Sequence, residues 1–160
     1  MVRMDYESLL VTAESIGLVV REKDLQAYDG RIKGLRVAIR RDLPTDRAKA
    51  CVLAEEVGHY FTSSGDLINE SQEARKQERR ARMWAYDLQI GLSGIVAAKT
   101  AGCKNLHETA EYLNVPPEFL VECVKCYREK YGTATKYRDY IIFFDPCLDV
   151  LTVKEAQNGW

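Results

Sequence analysis

The run Ala54-Glu55-Glu56-Val57-Gly58-His59 brings two carboxylates and an imidazole into a single helical turn and a half. On a helix, residues four apart lie on the same face, so Glu55 and His59 point the same way and can hold one cation between them. Glu56 sits about 100° further round. That is beside the water on such a cation, where a general base stands, and not on the cation itself. The pattern is one exchange away from His-Glu-x-x-His, in which two imidazoles hold a hydrolytic metal and the glutamate takes a proton from water. Here a carboxylate oxygen replaces the first imidazole nitrogen. A solvated helix edge with two glutamates and a passenger histidine has the same composition, so the short run leaves both readings open.

A catalytic zinc takes three protein donors and keeps one position free. The third candidate is Glu78, in Glu78-Arg79-Arg80-Ala81-Arg82-Met83-Trp84-Ala85. It falls one turn before Ala81 and two before Ala85, on the face expected to be buried, where a carboxylate needs a compensating charge. Arg75 and Arg82 supply the alternative, an exposed Glu78 held in surface ion pairs. Gly58 is a further sign: glycine inside a helix costs about 1 kcal/mol relative to alanine, so close approach by another element is expected there.

The elements that must carry these residues read as follows. Asp5–Ser15 has helical spacing ended by Gly17, and Leu18–Glu22 is a short β-type run. Asp29-Gly30 signals a turn. Leu35, Val37 and Ile39 alternate with Arg36, Ala38 and Arg40 as in a half-buried strand, with Gly34 as turn or bulge. Together these predict a small antiparallel sheet. Thr45 or Asp46 caps a helix over 47–61, a loop follows over Thr62–Asp66, and a second long helix spans 71–90. Gly91 breaks it, and a shorter helix runs to Gly102. A helix pair, Leu106–Leu113 and Pro116–Tyr131, is joined at Asn114-Val115, with the prolines in first-turn positions. Tyr140–Phe144 is a strand stopped by Asp145-Pro146. Val150–Val153 is its candidate partner, and the tail from Glu155 is expected to be loosely held.

This order, a strand at 36–40, the motif helix, a loop and then Glu-x-x-Ala-x-x-aromatic-Ala, resembles the ImmA/IrrE family of metallo-endopeptidases. The residues that carry it are Ala54-Glu55-Glu56-Val57-Gly58-His59-Tyr60-Phe61 and Glu78–Ala85, with the helices around 106–131 resembling the region that follows in that family. The likeness extends roughly from Leu18 to Tyr131. It implies a zincin-like α+β fold: a small sheet packed on a metal-site helix pair, with C-terminal helices and a late strand. It also implies Glu56 as base, His59 and Glu78 as metal ligands, and Glu55 at the position of the first histidine. The implied substrates are helix-turn-helix repressors of phages, other mobile elements and stress regulons. The expected layout is a metallopeptidase core over 1–102, with a helical appendage and returning strand over 103–160 on the same domain.

The exchange has physical consequences. Carboxylate oxygen is an acceptable zinc donor at ~2.0–2.2 Å, but a charged one. Two carboxylates neutralise the ion's charge and leave its water less acidified. Two oxygens and one nitrogen also make a harder donor set, so manganese or iron competes with zinc. An inactive adaptor, binding a repressor in the same groove without cutting it, is the competing reading.

Composition narrows the remaining classes. A formal net charge of −1 gives no global case for nucleic acid or membrane, and no stretch nears the roughly 20 apolar residues that span a bilayer. The basic run at Arg75, Lys76, Arg79, Arg80 and Arg82 reads as a solvated helix face. Glu118, Glu122 and Glu129 argue against a DNA-reading helix at 116–131. The acid-interrupted start lacks a secretory core, and five scattered cysteines fit reduced thiols, so a cytoplasmic protein is expected. Cys123-x-x-Cys126 lacks a second ligand pair and reads as two free thiols; His107 reads as a surface residue.

Overall fold

A computed structural model of the chain describes residues 4–63 and 71–159. The chain forms two compact units, divided between Gln89 and Ile90.

The first unit opens with helix α1 (Tyr6–Ser15), capped by the Asp5 side chain and ended at Gly17 with φ +88°. Strands β1 (Val19–Lys23), β2 (Gly30–Lys33) and β3 (Arg36–Arg40) follow. The sheet order is β1-β3-β2. β2 and β3 form the expected antiparallel hairpin around Gly34, whose φ of +60° suits glycine. β1, however, pairs parallel with β3, with Val20 beside Val37 and Glu22 beside Ile39. The sheet is therefore mixed. The chain between β1 and β2 is long enough to carry β2 past β3's place, and β3 then turns back between the other two. Alternation alone cannot distinguish this order from a meander.

Helix α2 (Asp46–Thr62) begins where Thr45 accepts a hydrogen bond from the Ala48 N–H at 3.2 Å, and Asp46 complements the positive end of the helix dipole. It buries Ala50, Leu53, Ala54 and Val57 against α1, β2 and β3, where Leu9, Ala13, Val37 and Ile39 are also buried. Helix α3 (Ser71–Gln89) packs along it, burying Ala81, Ala85 and Tyr86. Beyond Ser63, the loop expected at 62–66 lies outside the described residues.

In the second unit, α4 (Gly91–Thr100), α5 (Leu106–Leu113) and α6 (Pro117–Tyr131) precede a three-stranded antiparallel sheet, β4 (Ala134–Tyr137), β5 (Tyr140–Phe143) and β6 (Asp149–Thr152), with a short helix α7 (Val153–Asn158). β4 was not legible: its hairpin turns through Arg138 at φ +52°, a position where glycine or asparagine would have signalled the turn. The tail is not loose as expected. Thr152 and Glu155 form a reciprocal capping box that starts α7. All five cysteines are free thiols, and His107 is exposed. No described helix is long and apolar enough to cross a membrane.

The α2–α3 contact is closest at Gly58. A Cβ placed there would lie 2.5 Å from the Ala81 carbonyl oxygen, which is backbone and cannot swing aside. Gly58→Ala is therefore expected to lower stability by about 1–3 kcal/mol in urea denaturation despite alanine's better helix propensity. A variant as stable as the parent would contradict this packing.

Candidate metal centre

The site is assembled within the first unit from α2, α3 and β2. Gly58 lets α3 approach, and this brings Glu78 to His59: Glu78 Oε1 lies 3.4 Å from His59 Nε2. Glu55, one turn back on α2, completes the group. One potential ligand atom from each of Glu55, His59 and Glu78 lies within 4.8 Å of the others. Donors at ~2.0–2.2 Å around a tetrahedral ion stand about 3.4 Å apart, so the group needs only side-chain adjustment to close on a zinc-sized cation. The donor set fits: an imidazole nitrogen and two carboxylates, with a third carboxylate close by and short of positive charge.

Glu78 is not on the buried face, as the spacing had implied. Its side chain is half exposed, at the mouth of the site, because α3 turns Ala81 and Ala85 inward and leaves position 78 at the edge. The exposed alternative is met in part: Glu78 is exposed and feels the charge of Arg82, although the Arg82 ion pair is made elsewhere. Arg82 Nε pairs with Glu55 Oε1 at 3.5 Å. Burial pushes the Glu55 carboxyl above the ordinary range; Arg82 opposes the shift and Glu78 adds to it.

Glu56 is 8% exposed, the most enclosed of the three carboxylates. Burial, and then the nearby charges of Glu55 and Glu78, push its pKa up to about 7, against a hydrogen bond from the backbone N–H of Ile32. Gly30 makes the room. A Cβ at Gly30 would lie 2.6 Å from Val52 Cγ1 and 2.8 Å from Glu56 Oε1. The Asp29-Gly30 pair, read from the sequence only as a turn signal, thus includes a residue of the site wall. A glycine facing the carboxylate of another element leaves no local sequence cue.

β2 is an edge strand of its sheet. Asp29 and Arg40 are a hydrogen-bonded pair of the ladder, so the backbone groups of Gly30 and Ile32 point away from β3, towards the site. A cavity of about 360 Å³ lies between this edge and the helices, bordered by Tyr28, Arg31, Glu56, His59 and Glu78. The arrangement offers a cation-binding group, a carboxylate poised to exchange a proton near neutral pH, and a strand edge able to pair with an extended chain.

Residues 13–125 match the IrrE N-terminal-like domain of a peptidase family. No curated protein and no solved structure matches the chain.

The electrostatics are testable without metal. A carboxyl raised in the folded state above its unfolded value of ~4.3 lowers stability as pH climbs from that value through about 7. In chelator-treated protein, Glu56→Gln should therefore be close to neutral near pH 4 and stabilising by about 1–2 kcal/mol at pH 8, read from urea midpoints. Equal effects at both pH values would show that Glu56 is not held in this environment.

Proposed function

The chain belongs to the IrrE N-terminal-like domain family of metallopeptidases, and from that premise we propose a metal-dependent endopeptidase that cuts a helix-turn-helix repressor of a phage or other mobile element. The observation that carries the hydrolytic reading is the convergence of Glu55, His59 and Glu78 beside the buried Glu56. The choice of repressor as substrate rests on the family resemblance of the motif residues.

Glu55, His59 and Glu78 would hold the ion: zinc, or manganese or iron given the two oxygen donors. When bound, the ion supplies Lewis acidity towards water and the scissile carbonyl. Glu56 accepts the proton that water loses on attack and delivers it to the departing amine nitrogen. Its raised pKa suits both halves of that task near neutrality. An extended substrate segment pairs with the β2 edge through the outward backbone groups of Gly30 and the Ile32 carbonyl, the Ile32 N–H being held by Glu56, and this fixes the scissile bond over Glu56.

The adaptor reading also has an observation in its favour. Arg82 already gives Glu55 a cationic partner, so the carboxylate at the position of the first histidine can be satisfied without metal.

Metal analysis and a peptidase assay separate the two readings. On the first, protein prepared without chelator carries stoichiometric metal, and His59→Ala or Glu78→Ala loses it. Glu56→Gln keeps the metal while cleavage of a repressor substrate falls roughly 10²–10⁴-fold, the usual contribution of a general base. Protein that is metal-free as prepared, with unchanged stability in both alanine variants, would establish the adaptor instead. Arg82→Gln is expected to tighten metal binding a few-fold by freeing Glu55, modestly because the pair is partly exposed. Unchanged affinity would mean that Glu55 is not a ligand.

A further inference from the structure

One face of the β1-β3-β2 sheet carries charge that the near-neutral total conceals. Side chains alternate along a strand, and the register places Val19, Arg21 and Lys23 of β1, Arg31 and Lys33 of β2, and Arg36, Ala38 and Arg40 of β3 on the same face. The opposite face holds Val20, Ile32, Val37 and Ile39. Arg40 is occupied by Asp29 at 3.2 Å and Asp42 at 2.8 Å. Arg21, Lys23, Arg31, Lys33 and Arg36 are exposed and have no ion-pair partner among the described residues. They border a shallow trough of about 650 Å³ with Ala38 on its floor.

This arrangement works against the sheet. Lys33 stands directly opposite Arg36, and Arg21 and Arg31 flank Ala38 from either side. Like charges facing one another across strands are destabilising. The chain has 24 acidic residues against 23 basic ones, so a balanced surface was available, yet no acidic residue occupies a strand position on this face.

The ligand that fits is a continuous line of negative charge. Same-face residues repeat at about 6.8 Å along a strand, so neighbouring cations can meet separate acidic groups of a polyanion. Arginine forks suit phosphate oxygens. The face has no aromatic residue, so it offers no stacking platform for unpaired bases, and among its strand positions Val19 is the one exposed large apolar side chain, too little apolar surface to enter a membrane interface. We propose that this sheet face binds the backbone of double-stranded nucleic acid without reading sequence, through Arg21, Lys23, Arg31, Lys33 and Arg36. The proposal is independent of the hydrolytic reading, since it uses neither Glu56 nor a metal.

The test is an anisotropy titration of the full chain with labelled random-sequence DNA and RNA duplexes. Binding to either is expected to weaken roughly 10²–10³-fold between about 50 and 200 mM salt, as for four or five neutralised phosphates. The variant Arg21→Gln/Lys23→Gln/Lys33→Gln/Arg36→Gln should bind at least tenfold more weakly at about 50 mM salt, with a flatter salt slope. Its melting temperature should be unchanged or higher, because repulsion across the sheet is removed. Arg75→Gln/Arg80→Gln, on α3, should bind like the parent. The proposal is overturned if neither duplex binds saturably, if the sheet variant binds like the parent, or if the α3 variant is the one that loses binding. Tighter binding to polyglutamate or anionic vesicles than to duplex would also overturn it.

Discussion

Everything at the candidate centre depends on how closely α3 can lie against α2. The contact is set by a missing side chain: Gly58 faces the Ala81 carbonyl across a gap that no Cβ can enter. With that gap closed, His59 and Glu78 meet at 3.4 Å and Glu55 meets Arg82 at 3.5 Å. Were the helices to separate by even the width of a methyl group, the donors from α2 and α3 would stop sharing one point in space. The same reasoning holds on the other side of α2, where Gly30 of β2 lets the sheet edge come up against Glu56. Two glycines on different elements thus set the dimensions of the site.

The electrostatics follow from this packing. Three carboxylates are drawn together with one imidazole and one guanidinium, and the two on α2 have raised pKa values because they lose water and face like charge. Such a group takes up a cation or a proton. Arg82 and a metal would compete for the same Glu55 oxygens, so replacing the first histidine by glutamate both hardens the donor set and gives it an internal rival. A neutral imidazole at position 55 would not have attracted Arg82 in this way.

The first sheet separates its charges by face. Its inner side is apolar apart from Glu22, which accepts hydrogen bonds from Tyr6 at 3.1 Å and Lys49 at 3.0 Å and is thereby held below its ordinary pKa. Its outer side is cationic. A count of charges over the chain gives −1 and misses this, because only strand register sorts alternate residues onto opposite faces.

The residue order alone was enough to place the main helices, the strands read at 18–22, 35–40 and 140–144 to within a residue or so, and Glu55 and His59 on one face of their helix. These features rest on local periodicity, capping chemistry and four-residue spacing, all of which act within a few turns of chain. Where signals were short or ambiguous the structure departed from expectation: β4 turns through an arginine in the left-handed region, and α7 follows from a capping box at Thr152 and Glu155 that was present in the chain but not used. Tertiary structure alone decided the parallel pairing of β1 with β3, the half-exposed position of Glu78, the Glu55–Arg82 pair, the place of Gly30 against Glu56 and the cationic sheet face. Each is a contact between segments distant in sequence, and its geometry is fixed by packing that no local pattern encodes.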